Sequence, residues 1–296
     1  MSLQGDVHRQ VLERLGNVFV SARQAVESVL SGQHRSVRRG LSVEFAGHRP
    51  YQAGDDIRRL DWLVYARSDR YDVRVHEEET RLRATLIVDA SGSMGYAGSS
   101  GRSKLDHAKV LAAALGFLMV RQSDSVGLVT FDRAVRDHLP PATTMGNLLV
   151  MLDRLEALAP GGETGIGAVL SSLAPQLTRR GLVILITDAF DDPDRIAEAL
   201  SLLRYRKQDV RVLQVVDPLE QSFPFPAVIS FRGLEGEPTI TLDADRIRGY
   251  YHESLAAHRR ALAERCHAIG VQLETLRTDE DLALSLIRIL MQGPAT

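Results

Sequence analysis

The sequence predicts an α/β fold: a mostly parallel sheet with helices on both faces, preceded by a small N-terminal helix-plus-strand module. Three observations predict it. After Arg81, apolar runs of strand length alternate with segments of helical periodicity, the rhythm of strand–helix–strand units. The run Leu182-Val183-Ile184-Leu185-Ile186 has no polar alternation, as a strand covered on both faces requires. The chain of 296 residues, with 44% hydrophobic and 25% charged residues, has the length of one large or two modest globular domains and excludes a disordered or collagen-like one.

The elements follow in order. Val11, Leu15, Val18, Ala22, Ala25 and Val29 form one apolar helical stripe that Gly32 closes. This stripe is too short for a coiled-coil seam and is expected to dock on the neighbouring domain. Residues 1–80 read as this helix plus a small module. In it, Gly54-Asp55-Asp56 forms a turn and helix start, Ile57, Leu60, Leu63 and Val64 give a helical face, and Tyr71 to His76 alternate as a half-exposed strand. Residues 81–296 read as the main domain. Its strands are expected at Leu82–Val88, Val126–Phe131, Val135–Leu139, Leu182–Thr187, Val210–Val216 and Val271–Leu276. Its helices are expected around Leu105–Leu118, Leu148–Leu158, Gly165–Leu177, Ile196–Leu203, Ile247–Ile269 and Leu282–Leu290. Pro218, Pro224, Pro226 and Pro238 interrupt this rhythm and mark a loop-and-hairpin insertion near 217–242.

Charge and composition exclude several classes of function. Lys plus Arg (36) nearly balances Asp plus Glu (38), so there is no global field to recruit nucleic acid or an anionic membrane. No apolar segment reaches the ~18 residues of a membrane span. The first thirty residues carry charges throughout and lack a signal-peptide core, so a cytoplasmic protein is expected. The single cysteine, Cys266, excludes a disulfide framework and a Cys-based zinc cage, and reads as a small buried apolar residue. There is no Gly-Lys-Ser or Gly-Lys-Thr phosphate loop and no Gly-x-Ser-x-Gly elbow, and His107 and His252 have no metal partner at helical spacing.

In an open parallel sheet, ligands bind beyond the carboxyl ends of the strands. There the chain places Asp89-Ala90-Ser91-Gly92-Ser93, Asp188, and Gly161-Gly162-Glu163-Thr164 ahead of a helix. Oxygen donors without His or Cys select a hard cation, Mg²⁺ or Mn²⁺. Side chains at positions i, i+2 and i+4 of a loop leaving a strand turn toward one point, while Ala90 and Gly92 let the backbone fold tightly around it. Two carboxylates only just neutralise a divalent ion. The open coordination position is then best filled by a carboxylate from another molecule. Asp191, Asp192 and Asp194 read instead as loop and N-cap residues.

This arrangement resembles the metal-ion-dependent adhesion site of von Willebrand factor type A domains over roughly Leu82 to Leu290. The D-x-S-x-S element matches Asp89, Ser91 and Ser93, the distant threonine Thr164 and the later aspartate Asp188. The resemblance implies that Ser91, Ser93 and Thr164 ligate the ion directly or through water, while Asp89 and Asp188 anchor water and hold charge. A second resemblance is to the bacterial domain-of-unknown-function 58 family. Its signature matches Glu44-Phe45, Arg49-Pro50-Tyr51, Gly54-Asp55-Asp56-Ile57-Arg58, Asp61-Trp62, Ala66-Arg67 and Glu77-Glu78-Glu79, with Ala53 where proline is common. Arg58, Arg59, Arg67, Asp56 and Asp61 read as an internal ion-pair network around Trp62.

That resemblance implies a partnership with MoxR-type AAA+ ATPases in protein assembly or maturation. The expected function is a non-enzymatic module that captures a partner's acidic side chain through the metal. The alternative is a metal-dependent phosphoester hydrolase in which Asp89 and Asp188 hold the ion and Asp191 or Asp192 acts as base. Two-metal hydrolysis wants more carboxylates than this chain supplies.

Overall fold

The computed structural model describes residues 17–33, 48–50, 72–74, 82–98, 101–178 and 180–291. The chain divides into two compact units, Met1–Ser31 with Leu82–Thr296, and Gly32–Arg81. In the smaller unit, β1 (His48–Pro50) and β2 (Asp72–Arg74) pair antiparallel, with Arg49 opposite Val73. β2 falls in the alternating stretch that predicted a strand. The expected helix from Ile57 to Val64 and most of the family signature, Trp62 included, lie outside the described residues.

Helix α1 (Asn17–Gln33) runs one residue past the expected stop at Gly32. The sequence grouped this helix with the small module, yet Ala22, Ala25, Val26 and Val29 are part of the larger unit's core. Val11 and Leu15 of the same stripe lie outside the described residues.

After α1 the larger unit continues with β3 (Arg83–Asp89), a 3₁₀ turn at Gly92–Gly95 and α2 (Lys104–Arg121). Then come β4 (Ser125–Phe131), β5 (Val135–Ala142), α3 (Met145–Ala157) and α4 (Ile166–Leu173). Next are β6 (Gly181–Thr187), α5 (Pro193–Tyr205), β7 (Gln208–Val216) and the short α6 (Pro218–Ser222). A hairpin of β8 (Val228–Phe231) and β9 (Ile240–Asp243) precedes α7 (Ala244–Ala268), β10 (Gln272–Arg277) and α8 (Leu282–Met291). The hairpin is the insertion that the prolines marked. Helix α4 stops short of the expected Leu177 because Pro175 has no N–H to continue the ladder.

The sheet order is β10-β7-β6-β3-β4-β5, and only β5 runs antiparallel to its neighbour. Strand order reverses between β3 and β6, the first and fourth strands of this sheet in chain order. This is the doubly wound arrangement whose crevice lies at that reversal. Alternate residues serve opposite faces. Leu86, Val88, Ile184 and Ile186 pack with α1, α2, α3 and α8, while Ile87, Val183 and Leu185 pack with α4, α5 and α7. Strands loaded on both faces explain the unbroken apolar runs. At the border, β5 carries Pro140 and Pro141 and two register shifts, tolerable only on an edge strand.

Candidate functional site

Adjacent parallel strands β3 and β6 end together, so the topology sets Asp89 and Asp188 side by side at the reversal point. Both carboxylates are fully buried. Asp89 Oδ1 accepts the Ser91 amide at 2.9 Å and its Oδ2 accepts the Thr187 hydroxyl at 2.6 Å. These donors are neutral, and its charged neighbour is Asp188. Burial first, and the charge of Asp188 second, push the Asp89 carboxyl up to about 7.

Asp188 has a different environment. Its Oδ2 receives the ammonium of Lys104 at 2.7 Å, and its Oδ1 accepts the Phe190 amide at 3.3 Å. Lys104 also donates to Glu220 Oε1 at 2.7 Å. The turn after Asp188 is strained, because Ala189 adopts a left-handed conformation at φ 59°. It is held by the Thr187 hydroxyl, which accepts the Ala189 amide, and by His258 Nε2, 3.0 Å from the Ala189 carbonyl.

The serines follow on the loop after β3. Ser91 Oγ and Ser93 Oγ are 3.2 Å apart. Neither caps α2, whose N-terminus is closed by Ser103 and Asp106 in a reciprocal capping box. The loop that carries Thr164 is stitched to this turn by two backbone bonds, Gly92 N to Gly162 O and Gly161 N to Ala90 O, both 2.9 Å. Thr164 does not cap α4, where Gly165 is the N-cap without a side-chain bond. Its hydroxyl instead donates to Glu235 Oε1 at 2.6 Å and its amide to Glu235 Oε2 at 2.8 Å. The Ser93 amide also donates to Glu235 Oε1, at 3.2 Å. Burial raises the Glu235 carboxyl, but these donors outweigh it and hold the group below its usual range.

The five residues named from the sequence therefore gather at one edge of the sheet, where Thr187 bonds Asp89, Lys104 bonds Asp188, and Glu235 bridges Ser93 and Thr164. Sequence reasoning missed those three. Thr187 and Lys104 had weak signals: a hydroxyl directly before Asp188, and one of three lysines in an arginine-rich chain. Glu235 sits in the proline-marked insertion, 142 residues from Ser93, where no spacing rule points to it. Asp192 is the N-cap of α5, as expected, and Asp194 pairs with Arg265 at 2.6 Å.

The donor chemistry fits a hard divalent cation. Asp89 and Asp188 stand beside three hydroxyls, and the ammonium of Lys104 bonds Asp188 and Glu220. Ser91, Ser93, Thr164, Asp89 and Asp188 would hold such an ion. More than half of this set is hydroxyl, and among the described residues no three His, Cys, Asp or Glu side chains gather as a metal-holding group.

A family model described as "Protein of unknown function DUF58" matches residues 47–261. An uncharacterized protein of Mycobacterium bovis is 28% identical over 293 residues, covering 97% of this chain and 92% of its own. An uncharacterized protein of Mycobacterium tuberculosis is similar to the same extent, 28% over 293 residues. Among solved structures, the conserved hypothetical protein BatB from Bacteroides thetaiotaomicron aligns at TM-score 0.49 with 19% identity, over 71% of this chain and 97% of that one. The SpRpn10 VWA domain aligns at TM-score 0.40 with 13% identity, over 70% of this chain and 95% of that one. Among the described residues, no helix is long and apolar enough to cross a membrane.

Proposed function

The chain belongs to the DUF58 family, and from that premise we propose that it is a non-enzymatic interaction module that captures a partner's carboxylate at a metal-ion-dependent adhesion site. The observation that carries this reading is Glu235. A carboxylate already rests on the Thr164 hydroxyl and on the Thr164 and Ser93 amides, beside the Ser91 and Ser93 hydroxyls. Groups that seat one carboxylate can seat another.

Mg²⁺ or Mn²⁺, when bound, supplies the positive charge that attracts such an oxygen. The chain's own residues do the rest. Ser91, Ser93 and Thr164 offer neutral oxygens that leave the ion's charge uncancelled. Asp89 and Asp188 stand behind it, and Lys104 fixes Asp188 in place. The partner that the family resemblance implies is a MoxR-type AAA+ ATPase, with an acidic segment as the element recognised. Phosphoester hydrolysis is the poorer reading, because it asks for a spare base. Asp192 is spent on capping α5, and Asp191 accepts the Asp192 amide at 2.7 Å.

Calorimetric titration with Mg²⁺ and Mn²⁺ tests the site directly. Wild type should bind one ion, and Asp89→Asn and Thr164→Ala should each weaken binding at least tenfold. No metal-dependent heat in wild type would sink the reading.

A further inference from the structure

Glu235 lies at the tip of the loop between β8 and β9, and that tip is built to present it. Its own amide donates to Glu237 Oε2 at 3.0 Å, and Gly236 turns the backbone at φ 100°, a conformation that favours glycine. The tip is thus folded on itself. It meets the site through backbone as well as carboxylate: a Cβ added to Gly92 would come within 2.0 Å of the Leu234 carbonyl oxygen. Only glycine at 92 lets the loop seat.

The base of the loop rests on aromatic rings. Phe231 stacks on Phe223 at 5.6 Å and meets Phe225 edge-on at 5.4 Å, while Phe223 stacks on Tyr251 at 4.3 Å. Under the loop is a cavity of about 310 Å³, lined by Phe223, Phe231, Pro238, Ile240, Leu242 and Tyr251. The loop is therefore fixed at its glutamate tip and at its aromatic base, with space between rather than packed core. Freeing the tip asks for the bonds of Glu235 to Thr164 and Ser93 to be released, and no residue from 232 to 240 is buried.

We propose that Glu235 is a built-in surrogate for the partner's carboxylate: the loop keeps the site closed, and a partner captures it by displacing this glutamate. The inference rests on the carboxylate-binding role proposed above. It also defines the partner more narrowly, as an acidic segment whose glutamate stands on a slender turn able to lay its backbone on Gly92. Apparent affinity is reduced by the fraction of molecules with the loop seated, so unseating it should tighten capture without adding a contact.

The test uses the full chain and a labelled peptide copying residues 231–238, Phe-Arg-Gly-Leu-Glu-Gly-Glu-Pro. Peptide binding in Mn²⁺, Mn²⁺ binding alone, and hydrogen exchange at the Ser93 and Thr164 amides are measured for wild type, Glu235→Ala and Glu235→Gln. The expected result is at least tenfold tighter peptide binding by Glu235→Ala than by wild type, with faster exchange at both amides. Equal peptide affinity in the two proteins, including no detectable binding by either, overturns the proposal. Two outcomes separate it from the metal reading. Faster exchange in Glu235→Ala with no Mn²⁺ bound by any protein keeps the seated loop and removes the adhesion site. Normal Mn²⁺ binding with unchanged exchange removes the loop's role and leaves the site.

Discussion

The ammonium of Lys104 lies 2.7 Å from Asp188 Oδ2, and both side chains are sealed from solvent. The same ammonium lies 4.9 Å from the centre of the Phe190 ring. Burial alone would lower the lysine's pKa, but Asp188 and Glu220 outweigh it and raise the pKa. The charge is therefore kept inside the fold.

Removing that charge should be severe. Lys104→Met leaves Asp188 buried without its counter-ion, a class of change that costs about 3–5 kcal/mol. Urea unfolding should show that loss, and the double variant Lys104→Met/Asp188→Asn should recover part of it. A loss below about 1 kcal/mol would show that the pair does not hold this edge together.

Gly92→Ala should unseat the loop while keeping Glu235. The added methyl meets backbone, the Leu234 carbonyl, which cannot swing aside as a side-chain end does. Exchange at the Ser93 and Thr164 amides should rise toward the Glu235→Ala rate. Unchanged exchange would mean that the loop adjusts locally and that Gly92 does not gate it.

His107 predicts an acid-side loss of stability. It is buried, its Nε2 has no hydrogen-bond partner among the described residues, and burial first, with Arg102 second, lowers its pKa to about 4 from 6.5. Between those values the unfolded chain takes up a proton that the folded chain refuses, so stability falls as pH drops from 6.5 toward 4. The full shift is worth about 3 kcal/mol. Measured against His107→Gln, the wild-type urea midpoint should fall as pH drops from 6.5 toward 4, and parallel curves would rule His107 out as the cause.

Cys266 should be inert in the native state. It is 1% exposed, and burial raises its thiol to about 11 from 9.0, which lowers the thiolate fraction roughly 100-fold before access is considered. Iodoacetamide should label it only on unfolding. Prompt labelling of native protein would show that α7 opens locally.

Much of this architecture was legible from periodicity, because each sheet strand and its covering helices must bury apolar side chains in register. Leu182–Ile186 announced a doubly covered strand, and the observed β6 is that strand. The site residues were legible where they sit at strand ends and, for Thr164, just ahead of a helix. Asp89 and Asp188 follow from where β3 and β6 stop, and Ser91 and Ser93 from the short spacing after Asp89. Glu235 was not legible, since it reaches the site from a distant part of the chain, and Lys104 carried only a weak signal. Lys104 opens α2, where a lysine is an ordinary surface choice, yet tertiary packing seals it beside Asp188. Helix α4 ended early because a local rule, Pro175, overrode the apolar periodicity that continues to Leu177.

The Pro140-Pro141 pair in β5 has a consequence for self-association. A bare sheet border is a template onto which another chain can zip through main-chain bonds, and this one carries two consecutive residues without an N–H. Its register shifts twist the remainder out of line. A regular lateral seam along β5 is thus interrupted, and of the two borders of the six-stranded sheet β10 is the one without prolines or register shifts.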